Sequence, residues 1–262
     1  FQPGIESFSD DTLQLMRKGV TGLQSVLLLR WSRETGMRAR WNWLLGIPNE
    51  KISEYERITR WVPLLHHLQP PMSFSHVSLK RFSPIHDSPK AFGIVNVKPE
   101  YDYKLIFPLD QDTLHNLAHS FSYSYEDKRD PNEYTTELAT EIRKWRRLWR
   151  APLRPPTLAM LNTRWSVAIY DTRPCATKKL LVLTGIRANI YKHIMDIRTH
   201  DQLIQHFTSL GFQTSDIEKA ISSLVEKKLV LVDSDRLLAL ACDASAGLRQ
   251  KLCHLQLARI AR

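Results

Sequence analysis

Apolar positions in the first third of the chain change their period several times, and each change marks an element. Residues 4–7, Gly-Ile-Glu-Ser, close a short extended run. From Ser9 the spacing turns helical: Ser9 is placed as an N-cap, Asp10 and Asp11 put negative charge on the first turn, and Gly19 after Arg17 and Lys18 is a stop. Thr21 begins a second helix, in which Leu23, Val26, Leu27, Arg30 and Trp31 recur at helical spacing until Gly36. Residues 37–45 read as a strand, "GIPNE" at 46–50 as a turn, 53–68 as a helix broken by "QPPMSF", and 76–82 as a further strand. Strand, helix, strand, helix, strand is the alternation of parallel βα units. Parallel strands are buried on both faces, and three alone would leave two bare edges, so the pattern predicts a larger sheet.

Beyond residue 83 the period dissolves. Residues 83–130 carry several prolines and many aromatics and read as long loops packed over a barrel mouth, with 112–125 helical. A helix over 132–150 is unambiguous, and the "APLRPP" that follows is the best domain boundary in the chain. Residues 163–170 and 179–183 alternate like a hairpin, three helices are predicted at 186–195, 201–210 and 215–228, and "LVLVDSDRLLALA" reads as two strands joined at Asp233-Ser234-Asp235. Three helices followed by a two-stranded wing is a winged-helix arrangement. The expected division is 1–84, 85–155 and 156–262.

Composition narrows the class. The 262 residues are 43% hydrophobic and 24% charged, enough for real cores and unlike a disordered tail. The longest apolar runs, such as 26–29 and 180–183, fall far short of the roughly 18–20 residues of a membrane span, and residues 1–20 lack the order of a signal peptide. A cytoplasmic protein with no membrane partner is the expectation. Cys175, Cys242 and Cys253 are scattered without metal-knuckle spacing, so they read as buried or idle thiols. The formal charge of +10 favours acidic partners without choosing among nucleic acid, anionic cofactors and acidic peptides.

Several residues carry two readings each. Glu6 and Ser7 stand where a parallel strand ends, at the rim on which barrel enzymes hold their sites, and could hydrogen-bond a ribose or an amino-acid head group; alternatively Glu6 caps the next helix. Trp31, Trp41, Trp43 and Trp61 could cage a substrate, although core packing accounts for most of them. His66 and His67 are neighbours on a helix and point apart, which argues against a shared metal. "IRKWRRLWR" interleaves Trp145 and Trp149 with cations, suiting nucleic acid or an acidic peptide; alternatively the tryptophans dock on the barrel while the arginines face water. The third predicted helix of the C-terminal region, "TSDIEKAISSLVEKK", is nearly charge-balanced, which argues against reading a DNA groove.

Certain stretches also resemble a known family. "GIESFSDDTLQLMRKGVT", "WNWLLGIPNE" with its following helix, and "SLKRFSP" look like the fourth, fifth and sixth strands of a radical SAM barrel, in the branch whose members carry a cobalamin domain. "LHHLQPP", "LKRFSPIHDSPKAFGI" and "YKLIFPLD" are similar to radical SAM proteins that mature ribosomally made peptides. The resemblance implies an α/β fold: the second half of a partial TIM barrel, a mostly helical extension and a small winged-helix-like α+β domain. It implies that Glu6 and Ser7 lie near the ribose and carboxylate of SAM, that Asn42 supports the adenine, and that Arg81 and Ser83 approach cofactor or substrate. The family's C-x-x-x-C-x-x-C cluster motif and its cobalamin domain are not in these residues, and the three scattered cysteines do not replace them. The implied whole is therefore a larger enzyme, of which this is the C-terminal portion, inert alone.

The implied activity is modification of a ribosomal peptide by a deoxyadenosyl radical, most plausibly cobalamin-dependent C-methylation, with SAM, an iron–sulfur cluster and cobalamin as cofactors. Residues 176–242 would hold the leader segment of the precursor peptide. The alternatives are epimerisation or ring closure on the same barrel, or a non-enzymatic winged-helix protein that binds nucleic acid through its basic surface.

Overall fold

The computed structural model describes residues 1–150 and 155–245; Cys253 lies outside them. Strand β1 (Asn42–Leu45) pairs in parallel with β2 (Ser73–His76). Residues 1–7 run extended alongside β1 in the same direction: Arg40 N–H donates to Phe1 O at 2.9 Å, and Leu44 N–H to Glu6 O at 3.0 Å. Helices α1 (Asp10–Leu15), α2 (Gly22–Thr35) and α3 (Ser53–Trp61) alternate with these extended segments. No sheet closes into a barrel among the described residues.

Local chemistry sets these boundaries. Ser9 Oγ accepts from Thr12 N–H, Thr21 and Gln24 form a reciprocal capping box, and Gly36 ends α2 in the left-handed region at φ 74°. Helix α1 stops earlier than Gly19, because Arg17 takes a left-handed φ of 53° and Lys18 N–H turns back to Leu13 O. The third extended segment also differs from the expected 76–82. Pro70 and Pro71 keep the residues around them extended, so pairing begins at Ser73. Residues Leu79–Lys80 instead form β3, which leaves the parallel sheet.

The expected loop region is a small α+β unit. It holds β3, α4 (Pro84–Asp87), β4 (Ile94–Pro99), α5 (Tyr101–Ile106), α6 (Gln111–Leu117) and β5 (Ser120–Tyr125). Its strands form an antiparallel sheet in the order β3-β5-β4 over a core of Leu79, Ile94, Ala118 and Phe121. The helix expected over 112–125 ends at Leu117, and "SFSYSY" then alternates at the two-residue period of a strand. Helix α7 (Pro131–Trp149) follows, started by the Asp130 cap and Pro131.

The remaining chain contains β6 (Leu158–Asn162), β7 (Ser166–Asp171) and β8 (Leu180–Thr184). Then come α8 (Gly185–His193), β9 (Arg198–Thr199), α9 (His200–Ser209) and α10 (Thr214–Glu226). Strands β10 (Val230–Asp233), β11 (Arg236–Ala239) and β12 (Cys242–Asp243) complete it. The hairpin and the three helices stand where the periodicity predicts them, whereas β6 was not expected. The sheets are ordered β12-β6-β7-β8 and β10-β11-β9. Phe8, Trp41, Trp43 and Trp145 share one buried cluster with Leu158, Tyr191 and Leu240, so residues 1–150 and 155–245 contribute to one apolar core. Trp41, Trp43 and Trp61 are core residues as expected, but Trp31 is exposed. No helix among the described residues is long and apolar enough to cross a membrane.

His66 and His67 lie inside that packing. His67 Nε2 bonds Leu240 O at 2.8 Å, while both ring nitrogens of His66 have no partner among the described residues. Burial, with Lys144 and Arg173 nearby, lowers the His66 pKa to about 4 and holds His67 well below 6.5. The unfolded chain therefore binds protons that the folded chain refuses, and stability falls as pH drops from about 6.5 toward 4. Urea midpoints should be lower at pH 5 than at pH 7, and His66→Leu should reduce that difference. An unchanged pH dependence in His66→Leu would refute this assignment.

Candidate functional site

Parallel strands direct their carboxyl ends to one rim, and a cleft of about 290 Å³ opens there. Its floor is the end of the two strands, Ile47 and Pro48 after β1 and Val77 after β2. One wall is the end of α1 at Leu15 and the turn that follows it, Met16 to Lys18; the other comes from Ser83, Pro84, Ile85 and Phe92. Most of this lining is apolar, and its polar groups are Arg17, Lys18 and Ser83.

The left-handed Arg17 sends the chain back over its own strand. Lys18 Nζ thereby reaches Glu6 Oε1 at 3.3 Å, and a side chain at Gly4 would lie 3.7 Å from the same ammonium. Side-chain exposures are 30% for Lys18 and 22% for Glu6; Lys18 lines the cleft, and Glu6 meets it through this contact. Ser83 meets the rim from the opposite side. Its Oγ caps α4 by accepting from His86 N–H at 3.2 Å, and the hydroxyl proton stays free to donate.

The other residues expected at this site do different work. Ser7 is buried, and its Oγ accepts from Ser9 N–H at 3.1 Å, helping to turn the chain into α1. Asn42 is the first residue of β1, roughly 10 Å along the strand from its carboxyl end, and its Oδ1 accepts from Ser73 Oγ at 2.8 Å. Arg81 is spent on α6: Nε donates to Ala118 O at 2.5 Å, Nη2 to His115 O, and the guanidinium lies 5.1 Å from the Phe121 ring centroid. A cation on the carbonyls that end a helix is stabilising there. Thus Glu6, through Lys18, and Ser83 converge on one cleft, while Ser7, Asn42 and Arg81 do not.

Two features of the site were not legible as such. Lys18 appeared only as part of a helix stop. The second is a buried polar cluster under the "GIPNE" turn. Glu50, 4% exposed, accepts from Tyr55 and Tyr134, each at 2.9 Å. Burial pushes its carboxyl up, against the opposing pull of those two hydroxyls. Arg129 donates to Glu50 O at 3.0 Å, Tyr125 OH to Gly46 O, and Tyr123 OH to Val77 O at 3.0 Å. Strand β5 and the start of α7 therefore clamp the two turns that floor the cleft. Gly46 is required at this point: its φ is +70°, and a Cβ would fall 2.9 Å from both Tyr125 Oη and Pro131 Cγ.

The metal chemistry available here is limited. Cys175 is half-buried with Sγ on Pro63 O at 3.2 Å, and burial pushes the Cys242 thiol up to about 12. Thiols held protonated are not cluster ligands. No group of three or more His, Cys, Asp or Glu side chains among the described residues is placed to hold a metal ion. An iron–sulfur cluster does not fit these residues.

A second concavity, a shallow groove of about 700 Å³, lies between α10 and the β10–β11 hairpin. Ile221, Val225, Val232 and Leu237 make it apolar, and Asp201, Glu226 and Asp235 edge it. The hairpin itself is tied to the first helices: Arg57 bridges Glu54 and Asp233 at 2.6 Å each, and Arg236 bridges Asp10 at 2.5 Å. Compared with protein-family models, curated proteins and solved structures, the chain has no match.

Proposed function

We propose that the chain is the C-terminal portion of a radical SAM enzyme that modifies a ribosomally made peptide, with cobalamin-dependent C-methylation as the outcome. The observation that carries this reading is the cleft at the carboxyl ends of the parallel segments, because Ile47 and Pro48 of "GIPNE" and Ser83 and Pro84 of "RFSP" line it, and Lys18 on its wall contacts Glu6 of "GIES". In this reading the cluster and cobalamin are held by residues outside this sequence, and they supply the radical and the methyl group. The chain's own contribution is binding and orientation. The apolar walls exclude water from the nucleoside, Lys18 offers its ammonium to a carboxylate, Glu6 accepts from a ribose hydroxyl, and Ser83 donates from the far side.

Residues 176–242 are proposed to hold the leader of the precursor peptide. The order α8, β9, α9, α10, β10, β11 and the sheet order β10-β11-β9 support a winged-helix reading. An apolar groove edged by carboxylates supports a peptide ligand over DNA, whose phosphates the carboxylates would repel.

The test is twofold. The coding sequence upstream in the same frame is expected to encode a C-x-x-x-C-x-x-C run and a corrinoid-binding domain. The complete polypeptide, reduced with SAM, is expected to release 5′-deoxyadenosine, about tenfold less after Lys18→Ala, where a charged contact of about 1.4 kcal/mol is lost. Asn42→Ala should leave the rate within about twofold. Lack of the upstream motif, or an unchanged rate in Lys18→Ala, would overturn the proposal. Product mass then separates methyl transfer from epimerisation or ring closure.

A further inference from the structure

Strand β2 ends its sheet, since among the described residues it pairs only with β1. Met72 N–H donates inward to Trp41 O at 2.7 Å. Val77 N–H also donates inward, to Leu45 O at 2.9 Å, while Leu44 N–H turns away to Glu6 O, so in the register Trp43↔Phe74 and Leu45↔His76 the backbone of Ser73 and Ser75 bonds β1, and the N–H and C=O of Phe74 and His76 face the free edge. His76 is exposed and Phe74 half-buried, and Met72, Ser73 and Ser75 beside them are exposed. An uncovered row of donors and acceptors of this kind is a template for another extended chain.

That edge is lined with cations. Arg143 and Arg146, one turn apart on α7, hold their guanidiniums 5.4 and 6.0 Å from the Phe74 ring centroid. Arg40 Nε touches Met72 Sδ at 3.4 Å. None of the three arginines has a carboxylate within ion-pair distance among the described residues, and Glu141, the nearby acid on α7, pairs with Lys144. Cation–π seating fixes the two α7 guanidiniums while leaving their N–H edges unsatisfied.

We infer that the free edge of β2 together with Arg40, Arg143 and Arg146 docks an extended acidic peptide, by strand addition with its carboxylates on the guanidiniums. Charge complementarity selects an acidic partner, and the strand edge selects a peptide over nucleic acid. A polypeptide backbone matches the spacing of the Phe74 and His76 donors and acceptors. The aromatic ring that bases would need as a stacking platform, Phe74, already carries the protein's own guanidiniums. The inference rests on edge geometry and charge and stands apart from the radical chemistry proposed above.

The full chain is titrated against a short fluorescein-labelled peptide of alternating Glu and Thr, with a Lys/Thr peptide and a single-stranded oligonucleotide of equal negative charge as the other arms. His76→Pro deletes an outward-facing N–H at an edge position where proline is tolerated, so folding is kept while strand addition is blocked. Arg143→Glu/Arg146→Glu reverses the charge. The Glu/Thr peptide is expected to bind best, with affinity falling at least about tenfold in His76→Pro and in the charge-reversed variant, each a loss of about 1.4 kcal/mol or more. Three results would overturn the proposal: no binding of the Glu/Thr peptide, equal binding by His76→Pro, or preference for the oligonucleotide. Because SAM turnover is not read, failure here is distinct from failure of the proposed activity.

Discussion

Trp145→Ala is expected to destabilise the chain by about 3–5 kcal/mol, the range for emptying a buried aromatic site. The indole is fully buried, and its ring meets Trp41 edge-on at 6.1 Å. Its Nε1–H donates to Leu68 O at 2.9 Å, so the variant leaves a cavity between α7 and β1 and also orphans a buried carbonyl, which adds about 1–3 kcal/mol. Trp145→Phe refills most of the volume but still orphans Leu68 O, and should fall between wild type and Ala. Urea unfolding read by intrinsic fluorescence, compared at constant slope, makes the measurement. A loss under about 1 kcal/mol for Trp145→Ala would show that the indole is not a wedge in the core.

That residue also shows what periodicity can and cannot say. Spacing of four placed Trp145 and Trp149 on one face of α7, and the helix forms as expected. Only Trp145 is in the core; Trp149 is half-buried at the margin, with Arg33 of α2 5.0 Å from its ring centroid. A helical stripe identifies a face, but which part of it another element covers is a tertiary fact. The same limit applies at the cleft. Ser83, which lines the cleft, and Glu6, which meets it through Lys18, each stand at the boundary of an element, a position that chain direction alone makes readable. Asn42 was misplaced because β1 starts at this residue rather than at 37, which moves it to the opposite end of the strand. Glu50 and Tyr134 are 84 residues apart, and no local pattern announces such a pair. The antiparallel unit at 79–125 was hidden for another reason: its strands are interrupted by short helices and prolines, and only "SFSYSY" keeps a clean alternation.

Asp171→Ala is expected to cost about 3–5 kcal/mol, because it strands a buried guanidinium. Asp171 and Arg173 form a two-pronged pair, Nε to Oδ1 at 3.0 Å and Nη2 to Oδ2 at 2.7 Å, with side-chain exposures of 1% and 0%. Arg173 also donates to Leu64 O at 2.6 Å and to Lys228 O at 2.7 Å. One guanidinium thus joins the end of β7 to the turn after α3 and to the end of α10. Arg173→Met alone should be comparably harmful, since it leaves the carboxylate buried without its cation. The double variant Asp171→Leu/Arg173→Met removes both charges and fills the space. It orphans the two carbonyls and the backbone N–H of residue 173, which donates to Asp171 Oδ1 at 3.0 Å, at about 1–3 kcal/mol each before any gain from apolar packing. The double should therefore be more stable than the sum of the two singles implies, with a coupling above about 2 kcal/mol in a cycle of urea midpoints. Additive losses would mean that the pair contributes through packing rather than through its charges. Coupled losses would mean that ionic contacts, not apolar area alone, hold the segment after residue 155 against the parallel strands that floor the cleft.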